Sequence, residues 1–287
     1  MHAFWSLVVR SWRDSWPLLV ACGGLLAVFL AFRIWVAAQI NFEAVAALLA
    51  GGNFRFFENM LPVPLEVIAT PTGRVAFGFE EFPVILLVGL WTIARGSECV
   101  AGRLQDGTLE MLLAQPVSRL TLVLSHSLMT LAGIVLLAAA AWAGSAAGIR
   151  IADFAAPPPW QRFLPAALNL AGLAVLMAGG ATFASAVFAT RGRAVALVVG
   201  ALIVELTLLL LARATPAVAW LKGATILAAY EPTVLTIRMN QEPAEGLWPD
   251  FSQLLFWTAN GWLYGVGVVL WAAAAWRFTR FDVPAPA

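Results

Sequence analysis

Six stretches of this chain are long enough and apolar enough to cross a bilayer, and the polar segments between them set the rest of the pattern. A helix rises about 1.5 Å per residue, so about 20 mostly apolar residues cover the hydrocarbon core. On that criterion the spans fall near 17–40, 82–98, 120–149, 163–190, 194–212 and 254–278. Residues 3–16 precede the first. At helical spacing Trp5, Val8, Trp12 and Trp16 share one face, and Ser6, Arg10, Arg13 and Asp14 share the other. That pattern predicts an interfacial helix in the headgroup plane, although a plain flank of the first span would also carry it. Arg33 ends an uncharged run and is expected to snorkel to the far interface. Residues 41–81 and 213–251 mix acids with prolines and read as external segments. The stretch 217–237 is apolar enough to re-enter the membrane, with Tyr230-Glu231-Pro232 as a break.

Composition agrees with an all-α integral membrane protein. Of 287 residues, 61% are hydrophobic and 11% charged, and the mean hydropathy is +0.85. A soluble domain is about 45–50% apolar and about 25% charged. The net charge of +1 offers no basic stripe for phosphates, so no nucleic-acid partner is expected. With both termini on the cytoplasmic side, the short inside segments carry nine basic residues and five acids, the longer outside segments eight and ten. The density of positive charge then places both termini in the cytoplasm. Cys22 and Cys99 fall at different depths, which argues against a disulfide. No cleavage site for a signal peptide follows the first apolar run.

Several chemistries lack their residues. Lys222 is the sole lysine and follows Leu221, so no P-loop Gly-Lys exists. The histidines, His2 and His126, cannot form a zinc-protease pair; His126 is expected to be a packed or hydrogen-bonded residue of the third span. The spacing predicts no metal and no cofactor in this chain. Glu205 lies inside the fifth span, where a charge costs at least about 2.5–3.5 kcal/mol on insertion scales. It reads either as a substrate or proton contact or as an interhelical hydrogen bond, for example to Asn260. Gly144-x-x-x-Gly148 and Gly261-x-x-x-Gly265 would let helices approach closely.

The loop between spans two and three is the most specific feature. Asp106 or Thr108 can cap a helix over 106–115, with Gly107 allowing the turn. Leu109, Leu112 and Leu113 form an apolar face, Glu110 suits the positive helix end, and Pro116 stops it. The result is a short amphipathic helix at the membrane surface. It either lies on lipid headgroups or passes movement between a partner and the bundle.

The sequence Gly107-Thr108-Leu109-Glu110-Met111-Leu112-Leu113, followed by Gln115-Pro116-Val117-Ser118-Arg119, resembles the coupling segment of ABC-2 type transporter permeases. The interfacial helix, six spans and large external segment between spans five and six resemble that family too. The 41–81 segment is longer than in compact members. The resemblance implies a transmembrane subunit in the cytoplasmic (inner) membrane of a bacterium, paired with a second permease subunit as a homodimer. A separate nucleotide-binding ATPase would bind ATP and Mg, so the chain itself is not an enzyme. It would export a hydrophobic or amphipathic substrate. The coupling contacts would be Gly107, Thr108, Leu109, Glu110, Leu112 and Leu113. Glu110→Arg or Leu109→Asp is then expected to uncouple ATP hydrolysis from transport without unfolding the bundle. The competing readings are a proton-coupled secondary transporter using Glu205 and a membrane scaffold without transport.

Overall fold

The computed structural model describes residues 2–40, 61, 63–240 and 251–280. The expected external segments at 41–60 and 241–250 lie outside them. The chain is all-helical among the described residues, and six helical stretches are long and apolar enough to span a membrane. In order, these are α1 (His2–Gln39), α2 (Leu65–Ala69), α3 (Pro71–Phe77), α4 (Phe82–Ser97), α5 (Arg103–Gln105), α6 (Thr108–Leu113), α7 (Arg119–Ile151), α8 (Leu164–Val187), α9 (Arg191–Ala214), α10 (Pro232–Met239) and α11 (Phe251–Arg280). A π-turn (Glu98–Gly102) joins α4 to α5, so the second span runs on beyond its apolar part.

The helix expected over 3–16 is continuous with the first span, and Pro17 sits inside α1. The reason lies in which face is buried. Val8, Ser11, Ser15, Leu19, Cys22, Leu26, Leu30, Ile34 and Ala37 form one buried ladder at steps of three and four residues. That ladder runs straight through Pro17, so packing against the bundle outweighs the missing amide. Trp5 and Trp16, expected on the apolar side of an interfacial helix, lie off that ladder and are 57% and 50% exposed.

α8 is the centre of the bundle. It packs against α4, α7, α9, α10 and α11, and most of its residues are buried. A helix apolar all round is the kind that a core can surround. Small residues set the closest approaches. A Cβ on Gly144 would lie 2.5 Å from the Ala27 carbonyl oxygen, and one on Gly148 2.9 Å from Ile34 Cβ, so this pair seats α7 on α1. Gly179 and Gly267 do the same for α8 and α11. Gly261 and Gly265 have nothing within 4 Å of a Cβ, so the second expected motif makes no close approach in this chain. Cys22 and Cys99 are free and buried in two separate apolar clusters.

Arg33, expected to reach the far interface, meets partners near the start of the second span. It pairs with Glu81, donates to the Arg74 carbonyl and lies over the Phe77 ring. The stretch after α9 folds back alongside it through two 3-10 helices, Pro216–Ala224 and Ile226–Ala229. The amides of Ile226 and Leu227 reach Glu205, nine residues before the end of α9, which corresponds to a return of about 13 Å along the helix. The buried Tyr230, Thr233, Leu235 and Thr236 follow, whereas Pro216–Ala224 and Ile226–Ala229 themselves contain no buried residue.

Candidate functional site: the segment after the second span

Gly107 gives the short helix its start. It is the one residue with positive φ among those described, at 68°, where a side chain would strain the backbone. Neither Asp106 nor Thr108 caps α6 with its side chain. The Thr108 hydroxyl donates backwards to the Arg103 carbonyl at 3.2 Å, and the Gly107 amide donates to the Leu104 carbonyl at 3.1 Å. The helix is therefore tied to α5 rather than hanging from a loose loop. It ends at Leu113, shorter than the expected 106–115, and Ser118 then caps α7 by accepting from the Thr121 amide.

The apolar face of α6 points into the bundle. Leu109 is fully buried among Cys99, Val100, Leu104, Leu122, Val123 and Phe278. Leu112 and Leu113 pack half-buried at the edge of that cluster. Leu109 is thus a residue that holds the helix in place, and its side chain is closed to any partner. The outward face carries Asp106, Gly107, Glu110, Met111, Ala114 and Gln115, with Thr108 half-buried beside them. Met111 is 64% exposed. Sequence reading passed over it because it interrupts neither the leucine pattern nor the charge pattern. Its offset of two from Leu109 is the signal that would have placed it on the opposite face.

The π-turn beneath α6 is fixed by one hydroxyl. Ser185 of α8 accepts from the amides of Val100 at 3.0 Å and Ala101 at 2.8 Å, and donates to the Ser97 carbonyl at 2.9 Å. Wider helical turns of this kind recur at functional sites. Gly96 makes the approach possible, since a Cβ there would lie 2.5 Å from Ala181 Cβ. Arg191 of α9 donates to the Ala94 carbonyl and the Ser97 hydroxyl, both at 3.3 Å. Arg95 donates to the buried Ser11 of α1 at 2.6 Å and to Glu98 at 3.2 Å. His126 is the expected hydrogen-bonded helix residue, fully buried against Arg95 and Arg103. The segment that precedes α6 is thus bonded directly to α1, α7, α8 and α9.

Glu205 lies apart from this segment. Its carboxylate accepts from the Ile226 amide at 2.7 Å and the Leu227 amide at 3.3 Å. Asn260, suggested as its partner, is bonded to Asn169 at 3.3 Å instead. The carboxylate thus closes the start of a 3-10 helix, the place where free amides need an acceptor.

The sequence model of the ABC-2 family of transporter proteins matches residues 58–283 of this chain. The matched stretch contains α6 and the second to sixth spans. Among curated proteins, none matches the chain.

Proposed function

The chain belongs to the ABC-2 family of transporter proteins, and on that premise we propose that it is the permease subunit of an exporter driven by a separate ATPase. The observation that carries this reading is the short helix α6, tied by its buried leucine to the bundle while its other face is free. A rigid knob of that kind can receive a push. Met111 would enter an apolar pocket of the ATPase, and Asp106 and Glu110 would face basic residues around it. ATP and Mg would be bound by that partner, and this chain would hydrolyse nothing.

Two permease subunits would enclose the pathway, each with its own ATPase below. The beginning of α1 and the end of α11 lie at the same end of the bundle as α6. Ser11 meets Arg95 there, and Arg119 donates to the Phe278 carbonyl at 3.2 Å. The basic residues gathered at this end support its assignment to the cytoplasm. The apolar surface supports a hydrophobic or amphipathic substrate. The carboxylate of Glu205, already bonded to two amides, gives a proton-coupled carrier no support.

The test is co-purification from native membranes in mild detergent. A P-loop ATPase is expected with the chain, and Met111→Asp with Glu110→Arg should release it while the permease keeps its thermal midpoint. A stable complex with no ATPase, or a double variant that retains it and transports normally, overturns the proposal.

A further inference from the structure

At the α6 end of the bundle, two guanidiniums share one imidazole nitrogen. Nη2 of Arg95 and Nη2 of Arg103 lie 3.2 and 3.3 Å from Nδ1 of His126. The other ring nitrogen, Nε2, is 2.7 Å from the Arg95 carbonyl oxygen. A carbonyl only accepts, so Nε2 carries the proton and Nδ1 is a bare acceptor. The ring is neutral and brings no negative charge to the two cations.

The local charges do not balance. Glu98 pairs with Arg95 at 3.2 Å, and no carboxylate among the described residues pairs with Arg103. Two donors, Nε of Arg95 and Nη1 of Arg103, are buried with no hydrogen-bond partner. The Arg95 side chain is only 3% exposed, whereas that of Glu98 is 34% exposed. Arg191 adds a third cation nearby, its Cδ 3.6 Å from the position of a Cβ on Gly102. Two guanidiniums beside one carboxylate are short of negative charge, and buried donors left unsatisfied there call for an acceptor. None of the bonds that tie α6 to the bundle needs the Arg103 guanidinium, since Thr108 uses its carbonyl.

We infer that this cluster binds a phosphate-bearing anion, held by Nε of Arg95 and Nη1 of Arg103, with His126 fixing the two guanidiniums in register. A tetrahedral anion offers several acceptor oxygens to two planar donors at once, the geometry for which arginine is suited. Glu98 and Arg103 form the partly exposed rim, and Arg95 is the floor. The phosphate belongs either to a phospholipid headgroup of the adjacent leaflet or to a soluble phosphate compound, and the chemistry of the site is the same for both.

The experiment uses the purified full chain in neutral detergent and follows its thermal midpoint. One arm titrates sodium phosphate against sodium chloride at equal ionic strength, and the other titrates phosphatidylglycerol against a neutral acyl glycerol. A saturable rise in the first arm assigns a soluble phosphate, and a rise in the second alone assigns a headgroup. Arg103→Gln should weaken the response about tenfold or more, the scale of one hydrogen bond to a charged group. Arg193→Gln, two residues after Arg191 in the first turn of α9 but outside the cluster, should leave it unchanged. Arg103→Lys keeps the charge without the fork, so it should weaken the response by a smaller factor and keeps the result readable if Arg103→Gln does not fold. No rise in either arm, or an Arg103→Gln response equal to that of the unaltered chain, overturns the inference.

Discussion

The two ends of the bundle differ in the charged side chains that close their helices. At the α6 end, cations meet carbonyls near the ends of spans. Arg277 donates to Ala186 near the end of α8, Arg119 to Phe278 near the end of α11, and Arg191 to Ala94 near the end of α4. At the α10 end, Arg74 likewise meets the Ala69 and Ala37 carbonyls near the ends of α2 and α1, but carboxylates also meet amides at the starts of short helices. Glu205 takes the first amides of Ile226–Ala229, and Glu80 takes the Thr233 amide at 3.1 Å in the first turn of α10. Free carbonyls carry the negative end of a helix and free amides the positive end, so each end of the molecule uses the side chains its backbone requires. The difference teaches that carboxylate closure of helix starts is found at the α10 end, while arginine closure of helix ends is found at both. It further separates a helix that is free on one side, α6, from a folded-back segment bonded on several sides.

The sharpest way to break this comparison is to attack the one apolar anchor of α6. Leu109→Asp places a carboxylate in a site with no exposure, among six apolar side chains. The expected loss is about 4 kcal/mol or more, from lost burial plus the desolvated charge. It should appear as low abundance and a strongly reduced thermal midpoint. The sequence-based expectation that this change only uncouples transport is therefore replaced by one of unfolding. Met111→Asp, two residues away and exposed, should leave the midpoint within about 0.5 kcal/mol of stability. Equal losses for the two would mean that α6 is not seated as described.

A second change sharpens the same end. Ser185→Ala removes the acceptor shared by the Val100 and Ala101 amides at the π-turn. Leaving buried donors unmet costs about 1–3 kcal/mol. Differential scanning in detergent should show that loss, whereas Ser118→Ala, at an exposed cap, should cost about 1 kcal/mol. A neutral Ser185→Ala would show that the turn relaxes to an ordinary helix without its hydroxyl.

All six spans were legible in the sequence as apolar runs, because length and hydropathy alone decide whether a helix can cross a bilayer. What the sequence concealed was which face of a helix meets which neighbour. The tryptophans at 5 and 16 share a side with Val8 by periodicity, yet Val8 is buried and they are exposed, since the ladder through Ser11 and Ser15 turns the helix. Ser11 and Ser15 carry no apolar signal, yet both are buried: Arg95 bonds the first, and the second bonds its own backbone at Ser11. The leucines of α6 were read as one face, and the structure packs that face against the bundle; periodicity gives a face without its partner. Gly261 and Gly265 show the same limit: the spacing permits a close approach, and within the chain no helix takes it.

The smallest expected effect tests the α10 end. Glu205→Gln keeps an oxygen where the Ile226 amide needs one and removes the charge. Hydrogen bonds to charged groups contribute about 1.5–3 kcal/mol and neutral ones about 1, so the loss should be near 1 kcal/mol. A carboxylate that relays protons would behave differently, because Gln cannot titrate and transport would stop while stability barely changed. A carboxylate that closes a helix start should lose a little stability and leave ATP-driven transport intact. Glu205→Leu then adds the discriminating case: with no acceptor left for two amides, it should lower the thermal midpoint well below that of Glu205→Gln. Measured together, the two variants separate a structural cap from a proton site, because a cap ranks them by acceptor capacity and a relay makes both equally inactive.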